Sequence, residues 1–184
     1  MASQPLRVGN GAGFWGDNLD APFLLARDGR LDVLTLEYLA ELTLAILGHL
    51  RSKDPEAGYV TDFPDLIERL SPIFREQEGL KLVTNAGGLN PPACARRCAE
   101  ILARAGHDDT LLAAVTGDDV LDQIPGWLRE GVDLSHMETG APIATVADRL
   151  VVANAYLGAW PIADALRSGG RVVITGRVAD ASLT

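Results

Sequence analysis

The feature that most constrains this chain is an alternation. Short, β-rich apolar runs end in loops rich in glycine and asparagine, and helical patterns follow. Runs at 6–10, 31–37, 80–85, 111–116, 150–154 and 171–175 read as strands. Several are continuous apolar stretches rather than strict alternations, the pattern of strands covered on both faces. Between them, 38–51 carries a helical stripe of Leu39, Leu42, Thr43, Ile46, Leu47 and Leu50. Asp62 is placed to cap a helix through Leu66, Ile67, Leu70 and Phe74. Asn90 followed by Pro91 and Pro92 reads as a helix start, and Gly106 as its stop. A last helix covers 160–166 and ends before Gly169 and Gly170. Strands alternating with helices imply right-handed crossovers. The expected fold is therefore α/β: a mostly parallel, Rossmann-like, doubly wound sheet with helices on both faces. Ligands in such folds bind beyond the carboxyl ends of the strands.

A chain of 184 residues suffices for one domain, taken here as 1–184. Aromatic residues make up only 5%, so aliphatic side chains must supply the core. No apolar run approaches the roughly 20 residues of a membrane span. The opening MASQPLRV lacks a signal peptide's apolar stretch, so the expected address is cytoplasmic, with no membrane partner. A net charge of −9 argues against nucleic acid, although Arg96, Arg97 and Arg104 form a local basic spot. Cys94 and Cys98, four apart in a helical pattern, read as small reduced core residues rather than metal ligands. His49, His107 and His136 are scattered without metal-ligand spacing. The segment 124–145 is irregular, with Pro125, Gly126, Gly131, Gly140 and Pro142, and suits a flap or an oligomer contact. His136 and Glu138 within it read as surface residues.

Chemistry is expected in the loops. After the first strand, Gly11, Gly13 and Gly16 form G-x-G-x-x-G, and Glu37 ends the next strand. That is the outline of a dinucleotide fingerprint with its ribose-binding acid. Against it, Asp17 and Asp20 sit where a pyrophosphate's charge would go, Phe14 and Trp15 fill the variable positions, and Pro22 delays any helix. The alternatives are a purely steric turn or a cradle in which Asn10, Asp17, Asn18 and Asp20 supply the contacts. The third loop, with Asn85, Gly87, Gly88 and Asn90, has the composition of a turn that exposes backbone N–H groups to an anion or carbonyl. In the last loop, Thr175, Gly176, Arg177 and Asp180 follow a buried strand; Arg177 is placed either to clamp an anionic group or to pair with Asp180. Asn154 and Tyr156 follow the fifth run, Tyr156 being a hydrogen-bond donor or an acid/base. No G-x-S-x-G and no G-x-x-x-x-G-K-[ST] is present.

Taken together, GNGAGFWGDNLDAP, LDVLTLEYLAELTL, LVTNAGGLNPPACA, YLGAWPIADAL and VVITGRVADASLT resemble the acyclic terpene utilisation protein A family, in that order and along most of the chain. The resemblance implies a cytoplasmic protein from the genomic company of acyl-CoA carboxylases and enoyl-CoA hydratases. It thus implies the handling of acyl thioesters, coenzyme A thioesters among them, or of branched carboxylic acids. It carries over motif positions, not residue roles. In the family the TGRVADASLT-like stretch lies inside a longer domain, whereas this sequence stops at Thr184. The expectation is either a fragment or, the favoured reading, a split protein whose second chain carries the rest of that domain, in an oligomer.

The leading expectation is an enzyme, or half of one, performing hydration, dehydration or another lyase step on a small-molecule acyl substrate. Asp17, Asp20, Glu37 or Tyr156 would move the proton, and glycine-rich turns would stabilise the oxyanion. One alternative is an NAD(P)-dependent oxidoreductase using the Gly11–Gly13–Gly16 loop. The other is a non-catalytic subunit that stabilises a partner.

Overall fold

The computed structural model describes residues 5–183 of the chain; the opening four residues and Thr184, which belong to the first and last segments read above, lie outside them. Five strands form one all-parallel sheet: β1 (Val8–Ala12), β2 (Val33–Leu36), β3 (Lys81–Thr84), β4 (Leu112–Val115) and β5 (Val172–Thr175). Their order is β1-β2-β3-β5-β4. The helices are α1 (Asp20–Gly29), α2 (Glu41–Lys53), α3 (Asp62–Glu76), α4 (Pro91–Arg104), α5 (Ile124–Arg129) and α6 (Trp160–Arg167).

Period two sorts the strand side chains onto two faces. Leu34, Leu36, Leu82, Val172 and Ile174 share one core with side chains of α1, α3 and α4. Val83, Val115 and Val173 meet Ile162 of α6 on the other face, together with Val178 and Leu183. The arrangement is therefore doubly wound, as the alternation of elements predicts. The chain moves across the sheet in one direction through β1, β2 and β3. It then skips a place to β4 and returns through α6 to fill the gap with β5. A right-handed crossover in the reverse direction must pass over the opposite face. The loop after β3 leaves toward one layer and the loop after β5 toward the other. In such sheets a crevice can form where the loops part; here the β3 and β5 loops meet, and a side chain at Gly87 would stand 2.6 Å from the Thr175 carbonyl.

Three expectations change. The run at 150–154 is not a strand; it makes only an isolated antiparallel bridge, Asn154 to Asp119. It runs as a strap across α2, where a side chain at Gly48 would stand 2.5 Å from Val152. The apolar face of α2 is also rotated from the expected stripe. Thr43, Leu44, Leu47 and Gly48 are buried, while Leu42 is 73% and Ile46 44% exposed. The small Gly48 admits the strap, and that close approach decides which side faces in. Asp62 is the first helical residue of α3 rather than its cap, and accepts the Trp15 indole N–H at 3.2 Å. The 124–145 segment contains the short α5 and a one-turn helix at Ile143–Thr145, and is otherwise irregular. By contrast, Asn90 caps α4 as its sequence implies, its Oδ1 accepting from the Ala93 N–H at 3.3 Å.

Candidate active site

Polar side chains from four loops converge above β3 and β5. Glu37 follows β2. One carboxylate oxygen, Oε1, accepts from the Asn85 amide and from the Leu39 N–H at 3.2 Å. The other, Oε2, is buried without a partner. Burial pushes the Glu37 carboxyl above its ordinary value, and the bonds from Asn85 and Leu39, with the Arg177 charge, oppose that rise. Asn85, fully buried at the end of β3, also accepts the Tyr38 N–H at 2.8 Å. This single amide therefore fixes both the backbone and the carboxylate of the neighbouring strand end.

Arg177 enters from the β5 loop, 3% exposed. Its guanidinium lies 4.0 Å from Glu37, donates to the Leu39 carbonyl at 3.1 Å and to Asp180 at 2.8 Å, and stacks 4.1 Å over the Tyr156 ring. Of the two roles read from the sequence for Arg177, the contact present is the pairing with Asp180. Glu41 lies 4.0 Å away and accepts the Tyr156 hydroxyl. Thr175 turns its hydroxyl to the Gly176 carbonyl at 2.8 Å.

Asp118, which the sequence reading did not single out, holds this assembly together. It is 2% exposed, in the loop after β4. Its Oδ2 accepts the Arg177 N–H at 2.7 Å and the Asn154 amide at 2.9 Å. Burial raises its pKa against those two bonds. A side chain at Gly176 would overlap the Asp118 carboxyl group, so glycine alone permits the contact. The available signal was Asp118 itself, an acid directly after a strand and its glycine turn.

Beside Glu37 is a cleft of about 260 Å³ lined by Asn10, Thr35, Glu37, Asp180 and Leu183. A second, of about 270 Å³, lies at Glu41, Leu44, Val152, Asn154 and Tyr156. A larger cleft, about 450 Å³, includes Arg171, which precedes β5, and so sits at the opposite end of the strands.

The glycine loop after β1 contributes differently. Gly11 lets Pro22 of α1 approach: an added side chain would stand 2.8 Å from it. Asp17 accepts the N–H groups of Gly13 at 3.0 Å and Asn18 at 2.7 Å, and these bonds lower its pKa. Asn18 takes the Asp20 N–H at 2.9 Å, and Asp20 pairs with Arg69 at 2.6 Å. Trp15 packs on the core while Phe14 is 58% exposed. The donors a pyrophosphate would need at the start of α1 are largely taken by the loop's own side chains. The turn of Asn85, Gly87, Gly88 and Asn90 is likewise satisfied. The N–H groups of Gly88, Leu89 and Asn90 donate to Asn85, Gly58 and Gly87 carbonyls, and residues 86–89 are buried. The segment carrying Gly58 packs over that turn and accepts the Leu89 N–H, while the Gly88 and Asn90 amides are taken up within the turn itself.

Cys94 and Cys98 are buried and unbonded on one face of α4. Among the described residues no three His, Cys, Asp or Glu side chains gather in a metal-holding arrangement, and no helix is long and apolar enough to cross a membrane.

Residues 6–184 match the family model described as acyclic terpene utilisation family protein AtuA. The chain belongs to this family. The match spans every loop of the AtuA-family site described above, from Asn10 to Asp180. No curated protein and no solved structure shows a match to the chain.

Proposed function

We propose that this AtuA-family chain is a cytoplasmic acid–base enzyme, or one subunit of it, acting on an acyl thioester or related branched carboxylic acid. The reaction class is hydration/dehydration or a similar lyase step, and Glu37 is the proton-transfer group. One observation carries the reading. Glu37 has one oxygen fixed by Asn85 and the other buried without a partner, beside a cleft over β1 and β2 that Asn10, Thr35, Asp180 and Leu183 also line. Burial raises the proton affinity of this carboxyl, which favours its taking up a proton and returning it.

In hydration, Glu37 takes a proton from water as the oxygen bonds to the β-carbon of an α,β-unsaturated acyl thioester. The alkene electron pair shifts to the enolate, and Glu37 then returns its proton to the α-carbon, which completes the addition and regenerates the carboxylate. Asn10, exposed on the same cleft, is the side chain offered to the substrate carbonyl. Arg177 steadies the charge of Glu37 rather than holding substrate, its guanidinium being surrounded by Glu37, Glu41 and Asp180. Glu41 and Asp180 are exposed at the mouth, so the phosphates of a coenzyme A thioester would lie outside it.

The test is turnover of a short α,β-unsaturated acyl-coenzyme A in deuterated water, followed by proton NMR. The wild type is expected to add water with deuterium at the α-carbon. Glu37→Gln is expected to lose about 100-fold or more in rate. An undiminished rate in Glu37→Gln overturns the role of Glu37, and the absence of any wild-type turnover overturns the reaction class.

A further inference from the structure

Helix α2 shows water an apolar face that nothing among the described residues covers. Leu42 is 73% exposed, Ile46 44%, and Ala45 is exposed between them. With His49 these positions follow the spacing of one helical stripe. Val151, 56% exposed, lies in the strap that crosses α2 at Gly48. The opposite face of α2, with Leu44 and Leu47, already serves the core. A second apolar stripe is unusual on a helix of 13 residues, whose polar side should face solvent.

We infer that this face is an isologous interface between two copies of the chain, with the two α2 helices packed antiparallel across a two-fold axis. Charge complementarity selects this occupant. Exposed Glu41 begins the helix, and exposed Lys53 ends it with no ion pair among the described residues. With the axis near the middle of the helix, Glu41 faces the partner's Lys53 while Ala45 faces the partner's His49, and each contact occurs twice. The two helix dipoles then oppose one another, which is also favourable. A parallel pairing would set Glu41 against the partner's Glu41.

The consequence reaches the site, because Glu41 lies at its mouth. Three carboxylates, those of Glu37, Glu41 and Asp180, lie within 4.0 Å of the Arg177 guanidinium. The partner's Lys53 supplies a second cation where Glu41 and Tyr156 meet. The inference does not depend on the reaction proposed above, and the test reads assembly rather than turnover.

That test is sedimentation velocity across a concentration series. The wild type is expected to show a reversible monomer–dimer equilibrium. Leu42→Glu, at a position too exposed to matter for folding, should raise the dissociation constant at least about tenfold while leaving the circular dichroism and thermal midpoint unchanged. Glu41→Lys alone should weaken the dimer, and adding Lys53→Glu should restore it. A wild-type monomer at every concentration overturns the inference, and so does a dimer indifferent to Leu42→Glu. A dimer weakened further by the second charge change overturns the antiparallel pairing.

Discussion

The loop after β1 and the cluster above β3 and β5 both lie at the carboxyl end of the sheet, yet they differ in what they leave unfinished. In the first, Asp17 closes the turn on Gly13 and Asn18, and Asn18 closes the start of α1. In the second, Oε2 of Glu37 and Nε of Arg177 are buried with no partner. Glycine spacing marks where backbone must come close; unsatisfied buried polar atoms mark where something else can bind. The louder sequence signal therefore belongs to the quieter chemical region.

Substituting glycines in the two regions should separate them most sharply. At Gly87 an added methyl would stand 2.6 Å from the Thr175 carbonyl and 2.8 Å from Pro91, forcing the β3 and β5 loops apart. Gly87→Ala should cost about 3 kcal/mol in urea unfolding. At Gly13 the nearest atom is the Asp17 carboxylate at 3.7 Å, so Gly13→Ala should stay under about 0.5 kcal/mol. Equal costs would mean that the two loops are constrained alike.

Next in size is Asp118→Ala. It strips the acceptor from the Arg177 N–H and the Asn154 amide, both in the buried network, and should cost about 2–3 kcal/mol by the same measurement. Asp118→Asn should cost less, because one acceptor oxygen remains. A loss below about 0.5 kcal/mol for the alanine variant would show that water replaces the carboxylate freely and that the cluster is not sealed.

The contrast between the regions also explains what the sequence could reveal. All five strands begin and end within two residues of their expected limits, and α4 starts and stops at Asn90 and Gly106 as its composition implies. Caps, prolines and apolar runs are local signals, and local physics sets those boundaries. The strap at 150–154 failed as a strand because its place is set by Gly48 on a distant helix. The inward face of α2 was misread for the same reason. In the site, Glu37, Asn85, Asn154, Tyr156, Arg177 and Asp180 were all visible as polar residues after apolar runs. Their mutual contacts span up to 138 residues of sequence and depend on β5 sitting between β3 and β4. Asp118 was missed because an acid after a glycine turn reads as surface until that strand order buries it.

The Glu37 carboxyl offers a test by pH. Its proton affinity is raised in the folded state, so the folded protein holds that proton to higher pH than the unfolded chain does. Stability is therefore lost as pH rises from the ordinary value of 4.5 through the raised folded value, and regained as pH falls back. Glu37→Gln keeps an acceptor for Asn85 without the buried charge. It should be the more stable protein at pH 7, with the advantage closing toward pH 4.5 in paired unfolding curves. A difference that stays constant across that range would mean that the carboxylate is solvated, making the two regions electrostatically alike.

The smallest effect should come from Asp20, the acid most suggestive of chemistry in the first loop. Its partner Arg69 is 2.6 Å away, but the two side chains are 69% and 41% exposed. At such exposure the Coulomb attraction is screened by water and offset by the entropy of holding two long side chains together. Asp20→Asn should therefore change stability by less than about 0.5 kcal/mol, less still at high salt. It should also leave the turnover of an acyl thioester intact, because Asp20 faces α3 rather than the cleft at Glu37. A loss of turnover in Asp20→Asn comparable to that in Glu37→Gln would reverse the assignment, placing the chemistry in the glycine loop and leaving the cluster above β3 and β5 as its scaffold.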